Sequence, residues 1–359
     1  MEKRQSTKII LLKILAFVIG LCLMMNRLTT LLMLKEYPVG ANVNILLNPY
    51  ILGEKPTGFY SLEDDTLDVV FLGSSNVHCN INPNIIWNQY GITSYDFTGD
   101  QQDLGTTYYY LQQVFKTQSP KLVMIDILNG GAQESLANDQ AHFSYDYMKN
   151  DMSKVLGIWN RTKGSRLEMY FPIITYHDRW KELTQRDYTY SKDFHNSLNG
   201  AFIYMVQNEQ PGVQLPEDMP VENLSNKTIK WVQSIQALCE KNNCQCVFIK
   251  TPFSQYKEDY FPYFAAFGEY CQENNIQFID MNNYADAIGI DYATDFVDEM
   301  HMNWIGQQKL SNYIGDIISG NYEFEDKRNN SEFSQWNDDY DTMMYYINNF
   351  DVLYSESGV

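Results

Sequence analysis

The sequence predicts an α/β fold, a three-layer sandwich around a central parallel sheet, preceded by a single N-terminal transmembrane helix. The sheet is predicted because short apolar runs alternate with helical segments, as they do in parallel sheets with crossover helices. The transmembrane helix is predicted because an apolar stretch of membrane-spanning length opens the sequence. A Gly-Ser-Ser turn directly after the first apolar run of the sheet places hydroxyl groups where open α/β folds bind their ligands.

The apolar N-terminal stretch runs from Ile9 to about Leu34 and is interrupted by Lys13 and Arg27. The span is either 9–26, with Lys13 snorkelling to the inner face, or a frame shifted toward Leu34. The flanking positive charge lies on the N-terminal side, which predicts a cytoplasmic N-terminus and an extracytoplasmic remainder of the chain. No small-x-small cleavage pattern follows, so we expect an uncleaved anchor in the cell membrane rather than a signal peptide. The alternative is a soluble protein with a buried N-terminal helix.

Five apolar runs are predicted as the strands of the sheet, and helical patterns lie between or after them. The strands are predicted at residues 69–72, 92–97, 121–127, 246–249 and 276–279. Helices are predicted from Pro83 onward and at residues 104–116, 229–241, 260–273 and 304–318, the last with Asn303 as its N-cap.

The chain divides into four predicted regions. Residues 1–35 form the cytoplasmic N-terminus and anchor, 36–66 a polar connector, 67–320 the α/β domain, and 321–359 an acidic C-terminal tail on the periphery. The alternation of predicted strands and helices is interrupted at about residues 130–222, where Tyr, Asp, Asn and Trp are frequent. This part is predicted to be an insertion above the sheet edge, a location that often selects substrates.

Composition limits the class of protein. A hydrophobic fraction of 44% excludes general disorder. The net charge of -19 argues against nucleic acid as a partner, because phosphate would be repelled. The 27 Tyr, 19 Phe and 6 Trp residues suit contacts with sugar rings, although core and interface packing is their more frequent use.

Neither the cysteines nor other motifs indicate a metal or cofactor. Cys244-Gln-Cys246 lacks the two-residue gap of zinc knuckles, and no His pair accompanies it. A disulfide from Cys239 to Cys244 or Cys246 and buried free thiols are both compatible with the sequence. The sequence contains neither a phosphate-binding P-loop nor a Gly-x-Gly-x-x-Gly motif after a strand.

Two distant segments carry residues suited to nucleophilic catalysis. Ser75 lies in the turn after the first strand, and Asp298-Glu-Met-His301 precedes the last predicted helix. A serine must transfer its proton to a neighbouring base, and a histidine base needs a carboxylate to fix its tautomer. We therefore predict that Ser75, His301 and Asp298 meet, and that they act as nucleophile, base and orienting acid. Asp298 is preferred to Asp295 and Asp291 by its spacing from the histidine.

This arrangement resembles the SGNH (GDSL-type) hydrolase superfamily, whose nucleophile follows the first strand and whose Asp-x-x-His lies near the C-terminus. The resemblance covers about residues 67–320 without the insertion and implies a flavodoxin-like sheet. The family's Gly-Asp-Ser block matches Gly73-Ser74-Ser75, with Ser74 departing from the family pattern at the Asp position.

The resemblance also implies an oxyanion hole. The backbone N–H groups of Ser75 and Gly99 would be two of its donors. The family's third block has no clean match, and Asn129 is the nearest counterpart of its donor. Further residues that would line the cleft are Ser74, Asn76, His78, Asp295 and Asn303. Asp126, at the end of the third strand, either reaches the cleft or caps the following loop.

The Gly-Ser-Ser block, the N-terminal anchor and the Asp-x-x-His-x-Asn ending look most similar to a membrane-tethered subgroup of this superfamily. That subgroup includes the lipoteichoic-acid D-alanylation protein and the SGNH-like proteins of polysaccharide O-acetylation, which work beside a membrane-bound O-acyltransferase. The resemblance implies serine-dependent acyl transfer or ester hydrolysis, of O-acetyl or D-alanyl type, on a cell-envelope glycopolymer, without metal or cofactor. The alternative is a non-catalytic glycan-binding or scaffold subunit of an envelope acylation complex.

Overall fold

A computed structural model describes residues 7–33, 54–128, 138–164, 166–189, 195–213, 223–255 and 260–352. The strands within these ranges are β1 (Val69–Leu72), β2 (Ser94–Asp96), β3 (Leu122–Asp126), β4 (Gln245–Lys250) and β5 (Phe278–Asp280). The α-helices are α1 (Thr7–Leu32), α2 (Glu54–Ser61), α3 (Ser75–Asn80), α4 (Pro83–Tyr90), α5 (Leu104–Thr117), α6 (Asn138–Tyr145), α7 (Met152–Arg161), α8 (Arg166–Tyr170), α9 (Ile173–Tyr176), α10 (Gln185–Thr189), α11 (Asn226–Lys241), α12 (Tyr260–Glu273), α13 (Ala285–Ile288), α14 (Trp304–Asn321) and α15 (Ser334–Asn348).

The five strands form one parallel sheet in the order β2-β1-β3-β4-β5. Strand β1 lies between β2 and β3, so its carboxyl end is the point where the strand order reverses. Open α/β sheets bind ligands at this crevice. The predicted α/β class with a central parallel sheet is confirmed.

Two outer layers of helices cover the sheet. Val70 and Leu72 point to one face and pack with α5, α11 and α12, whereas Val69 and Phe71 point to the other and pack with α3, α4 and α14. This division follows from the two-residue period of a strand, because both faces of a parallel sheet are buried. The turn that carries Ser75 therefore follows a strand that is fully buried on both sides.

Three strands are shorter than the sequence predicts, and one of them, β3, loses only a residue at each end of the predicted 121–127. The predicted strand at residues 92–97 forms pairs only over Ser94–Asp96, because the amide of Thr93 donates to the side chain of Asp68 instead of the ladder. The predicted strand at 276–279 becomes Phe278–Asp280, because the amide of Ile276 still closes the turn at the end of α12. Local side-chain and turn bonds thus compete with pairing at strand ends.

Helix α1 is long and apolar enough to cross a membrane. Its 26 residues span about 39 Å at the usual rise of 1.5 Å per residue. Most of its apolar side chains between Ile9 and Met24 are exposed. They contribute nothing to the core of the domain, which is what a helix surrounded by lipid requires.

The insertion and the C-terminal region both contain helices. Helices α6 to α10 lie within the insertion, and α9 and α10 pack against α1. After residue 320 the chain forms α15, which packs on α4 and buries Trp336 and Met343. All six cysteines are free thiols, so the structure has no disulfide at Cys239.

Candidate active site

The turn that follows β1 requires glycine at its first position. Gly73 has a φ of +149°, a conformation that side chains with a Cβ rarely adopt. A Cβ on Gly73 would also lie 2.7 Å from the Cβ of Asp126 and 2.9 Å from Val77 Cγ2. The chain then enters α3, with Ser74 as its N-cap and Ser75 as its first residue. Glycine thus lets the strand turn sharply enough to present Ser75 at the sheet edge.

The structure brings Ser75, His301 and Asp298 together. His301 Nε2 lies 2.8 Å from Ser75 Oγ, and His301 Nδ1 lies 2.8 Å from Asp298 Oδ2. An ionised carboxylate only accepts hydrogen bonds, so Nδ1 carries the proton and Nε2 accepts from the serine hydroxyl. The His301 side chain is 18% exposed and that of Asp298 42%, so the group opens to solvent. This geometry allows proton transfer from serine to histidine.

The Asp298 carboxylate also shapes the turn that carries the histidine. Its Oδ1 accepts the backbone N–H groups of Met300 at 3.0 Å and His301 at 2.9 Å. Partial burial opposes ionisation of Asp298, but the hydrogen bonds from the His301 side chain and from these amides outweigh it and lower the pKa of the carboxyl. Asp298 therefore remains ionised at neutral pH, as an acid that orients a histidine must.

Asn80, at the end of α3, holds the histidine turn on both sides of His301. Its Nδ2 donates to the Met300 carbonyl at 2.9 Å, and its Oδ1 accepts from the Met302 amide at 2.7 Å. A bridge between Phe296 and Met302 closes the same turn. Because Ser75 begins α3 and Asn80 ends it, one short helix positions both the hydroxyl and the imidazole.

A polar contact with the end of β4 fixes this helix. Asn80 Nδ2 also lies 3.2 Å from Thr251 Oγ1, and Asn76 Nδ2 lies 3.4 Å from the same oxygen. Asn76 and Asn80 are one helical turn apart, so they share a face of α3. All three side chains are fully buried. Buried polar groups held in this way make the position of the helix specific.

The predicted oxyanion donors have different surroundings. The N–H of Ser75 is at the first position of α3, where helical amides have no intrahelical partner. The N–H of Gly99 makes a long 3.4 Å hydrogen bond to the Gly73 carbonyl, which joins the turns after β1 and β2. Asn129 lies outside the described residues.

Of the other predicted cleft residues, Ser74, Asn76 and His78 line the buried side of the turn and of α3. The Ser74 hydroxyl lies 3.4 Å from Asp126 Oδ2. His78 is buried, with Nδ1 2.8 Å from Thr98 Oγ1 and Nε2 3.4 Å from Asp100. These contacts give the three side chains supporting positions behind Ser75.

Asp295 and Asn303 have structural contacts. Asp295 is completely buried and forms an ion pair of 2.7 Å with Lys309 on α14. Asn303 caps α14, with its Oδ1 accepting the amides of Ile305 at 3.0 Å and Gly306 at 3.2 Å. Both residues hold the start of α14 against the preceding loop.

Asp126, at the end of β3, is a buried acid beside the turn that carries Ser75. It caps the following loop, because its Oδ2 accepts the Leu128 amide at 3.2 Å. Burial raises its pKa to about 7, against the opposing effects of the Leu128 and Ser74 hydrogen bonds and the charge of Lys250. A carboxyl of this kind changes its charge near neutral pH, 3.4 Å from the Ser74 hydroxyl.

The sequence analysis missed Asn80, Thr251 and Tyr204. The Tyr204 ring lies 6.4 Å from the His301 ring, centroid to centroid, and burial raises the pKa of its hydroxyl. The four-residue spacing of Asn76 and Asn80 is a usable signal in the sequence, because it places two amides on one helix face. Nothing local marks Thr251 or Tyr204, whose proximity to the site depends on the fold.

Comparisons with known proteins give distant similarities in fold. No family model matches the chain, and a search of curated proteins finds no match. A lipolytic protein assigned to the G-D-S-L family, from Desulfitobacterium hafniense DCB-2, shares 13% identity over 70% of this chain and 98% of its own, with a TM-score of 0.33. A protein described as an acylhydrolase, from Bacteroides fragilis NCTC 9343, shares 12% identity over 74% of this chain and 94% of its own, with a TM-score of 0.36. Both scores are below 0.5, and the function proposed below therefore rests on the geometry of the site.

Proposed function

We propose that the protein is a serine-dependent esterase or O-acyltransferase that acts outside the cell membrane on an acylated envelope glycopolymer. The observation that carries this proposal is the hydrogen-bonded chain from Ser75 through His301 to Asp298, with 2.8 Å at each step. The chain lies at the carboxyl edge of a parallel sheet and is open to solvent. This combination of a hydroxyl, a base and an orienting carboxylate suits acyl chemistry.

In the first half of the proposed reaction, Ser75 Oγ attacks the carbonyl carbon of an ester while His301 Nε2 accepts the hydroxyl proton. The negative charge of the tetrahedral intermediate would be stabilised by the backbone N–H groups of Ser75 and Gly99. The Gly99 amide would exchange its long bond to the Gly73 carbonyl for the oxyanion. His301 then gives its proton to the departing alkoxide, which leaves as an alcohol and leaves the acyl group on Ser75.

In the second half, a water molecule or a sugar hydroxyl attacks the acyl-serine. His301 accepts the proton of this nucleophile and returns it to Ser75 Oγ as the acyl–enzyme bond breaks. Asp298 stabilises the imidazolium in both halves through its bond to Nδ1. Attack by water completes hydrolysis, and attack by a polymer hydroxyl completes acyl transfer. The resemblance described above favours O-acetyl or D-alanyl groups, and a membrane-bound O-acyltransferase as the partner.

The proposed location is the outer face of the membrane, with α1 as an uncleaved anchor and a cytoplasmic N-terminus. The length and exposed apolar surface of α1 support a membrane-spanning helix, and the positive charge before it favours a cytoplasmic N-terminus. We expect the full chain to resist carbonate extraction. We also expect the domain to be accessible to protease from the extracytoplasmic side. Complete release into the soluble fraction would contradict it.

The activity is tested with purified full chain, p-nitrophenyl acetate and an O-acetylated polysaccharide. Ser75→Ala should lower the rate of acyl release by about 1,000-fold or more, because no other group supplies the nucleophile. Ser319→Ala is the matched control, since Ser319 is exposed on α14 and its hydroxyl contacts the Asp316 carbonyl and Tyr90, away from the candidate site. Unchanged turnover of both substrates by Ser75→Ala would contradict the enzymatic function and favour a scaffold role.

A further inference from the structure

Helix α7 in the insertion exposes apolar side chains and buries charged ones, which is the opposite of a surface helix in a soluble protein. Its exposed stripe consists of apolar side chains at helical spacing: Met152 (65% exposed), Val155 (41%), Leu156 (42%) and Trp159 (58%). Its buried face includes Lys154 and Arg161, whose charges are met by the Asp146 carbonyl and the Asp103 carboxylate. A helix that buries charge and exposes an apolar stripe needs an apolar medium on its outer side.

The apolar surface continues from α7 into the next helices. Its members after α7 are Leu167 (66% exposed), Phe171 (52%), Ile174 (45%) and Trp180 (64%). The segments are joined by a 3.0 Å hydrogen bond from the Tyr170 hydroxyl to the Val155 carbonyl, and by stacking of the Arg166 guanidinium 4.3 Å from the Trp159 ring. We call these eight apolar side chains of residues 152–180 the insertion face. Outside this face and α1, the large exposed apolar side chains of the described residues are Tyr188, Tyr284, Ile305, Tyr345 and Val352.

The insertion that carries this face lies beside the C-terminal half of α1. A cavity of about 600 Å³ separates the two, with Leu21 and Met25 on the α1 side and Tyr170 and Phe171 on the other. Farther along α1, the Arg179 guanidinium donates to the Leu32 carbonyl at 2.8 Å. A span of about 20 residues that begins at Ile9 ends near residue 28. The insertion therefore lies next to the part of α1 that would leave the bilayer.

The charge of this segment differs from that of the whole chain. Residues 152–181 contain six Lys or Arg residues and two acidic residues, whereas the chain carries a net charge of -19. Lys154 and Arg161 are buried and Arg179 pairs with Asp187, so the cations at the surface of this segment are Lys163, Arg166 and Lys181. Two of the cations accompany exposed tryptophans, because Arg166 stacks on Trp159 and Lys181 Nζ lies 5.5 Å from the Trp180 ring. Tryptophan beside a basic residue is typical of the membrane–water interface, where the ring enters the apolar layer and the cation reaches the lipid phosphates.

We propose that the insertion face is seated in the outer leaflet of the membrane beside α1, so that the domain has a second, monotopic contact with lipid. The occupant of this face is the bilayer itself, with acyl chains against the apolar side chains and anionic headgroups against the surrounding cations. Three observations favour lipid over a protein partner. The face lies beside α1, cations lie at its surface, and α7 exposes an apolar stripe while it buries charged side chains. The inference depends on the proposed anchoring by α1 and does not depend on the proposed catalysis. Two contacts with the membrane would fix the orientation of the site above it.

The test measures tryptophan quenching in the full chain reconstituted into phosphatidylcholine and phosphatidylglycerol vesicles, with and without a brominated phosphatidylcholine. Brominated acyl chains quench only those rings that enter the apolar layer. The described helix α1 contains no tryptophan, so lipid-dependent quenching reports on the domain. We expect clear quenching of the wild-type protein and at least a twofold loss of it in Trp159→Phe/Trp180→Phe. Trp304→Phe is the control and should keep the wild-type quenching.

The proposal would be overturned if the wild-type protein showed no quenching, or if Trp159→Phe/Trp180→Phe were quenched as strongly as the wild type. Either result would leave a protein or water as the occupant of the face. Carbonate extraction of the same samples tests the α1 anchor separately. Ser75→Ala should leave quenching unchanged, which separates this proposal from the proposed catalysis. Both Trp→Phe variants keep an aromatic ring at each site, and thermal melting followed by circular dichroism verifies their folding.

Discussion

Gly73 is the residue whose backbone decides where the candidate nucleophile lies. Its φ of +149° and the close approach of Asp126 leave no room for a side chain at this position. A residue in so unusual a conformation costs about 1–3 kcal/mol if it carries a Cβ. The neighbouring Ser75 would move with any shift that relieved this strain.

We therefore expect Gly73→Ala to lower the free energy of unfolding by about 1–3 kcal/mol and to reduce ester hydrolysis. Gly320→Ala is the matched control, because a Cβ there meets nothing within 4 Å. Alanine in this helical position should be neutral or slightly stabilising. Chemical denaturation and initial rates measure the two effects, and equal stability of the two variants would contradict the strain assigned to Gly73.

Asp126 gives the domain a specific dependence of stability on pH. Burial raises its pKa from 3.8 to about 7 in the folded state, so between these values the folded protein holds a proton that the unfolded chain has lost. The slope of unfolding free energy against pH is then negative, and stability decreases as pH rises from about 4 to about 7. Lys250, whose pKa is lowered to about 8 by burial, remains charged over this range.

Asp126→Asn removes this titration, so its unfolding free energy should fall less than that of the wild type between pH 4 and 7. The difference between the two profiles is at most about 4 kcal/mol, at about 1.4 kcal/mol per pKa unit. Denaturation series at several pH values measure it. Parallel profiles would show that Asp126 titrates in its ordinary range.

Sequence reasoning at the level of residues depends on local spacing. The three-residue step from Asp298 to His301 and the Gly-Ser-Ser turn are both visible in the sequence, and the structure places these residues in contact. The spacing of Asn76 and Asn80 shows that their amides share a helix face, but the partner of Asn80 is not visible, because its contact with Met300 joins residues 220 positions apart. Such a contact exists only after the sheet has brought the two ends of the domain together.

Helix α3 is the element that joins the two halves of the site. It presents Ser75 at its first residue and holds the histidine turn through Asn80 at its last. Its six residues are too few to be stable alone, so its position depends on the contacts of Asn76 and Asn80 with Thr251.

We expect Asn80→Ala to lower kcat by about 10- to 100-fold with little change in KM, because His301 loses its placement while substrate contacts remain. The Met302 amide would also be left without its buried acceptor, at a cost of about 1–3 kcal/mol in stability. Asn321→Ala is the control, since that side chain is exposed and bonds within its own helix. A loss of stability with an unchanged kcat would mean that Asn80 supports the fold alone.

The element boundaries show why the sequence predicts some parts better than others. Helix α12 forms over the predicted residues 260–273, because buried apolar residues recur along it at helical spacing, at Phe261, Phe264, Phe267 and Cys271. The described part of the insertion has five short α-helices, none of which the sequence analysis predicted. Helices of four to ten residues are set by tertiary contacts, such as those of α9 and α10 with α1, rather than by their own sequence.

At the scale of the whole molecule, the strand order explains why distant segments form one site. The order β2-β1-β3-β4-β5 places the end of β1 at the reversal of the sheet, and the turn after β5 and α13 returns the chain to the same edge. Alternating apolar runs were sufficient to predict the class of fold. The strand order itself is not encoded in any local pattern, because it arises from how the crossover helices pack on the two faces.

Labelling with a fluorophosphonate followed by peptide mapping tests the central claim most directly, because this probe reacts only with a serine that a neighbouring base has activated. The proposed mechanism predicts one adduct, on Ser75, in the wild-type protein and in Ser319→Ala, and its loss in His301→Ala. An adduct on another residue, no adduct at all, or full labelling of Ser75 in His301→Ala would contradict it.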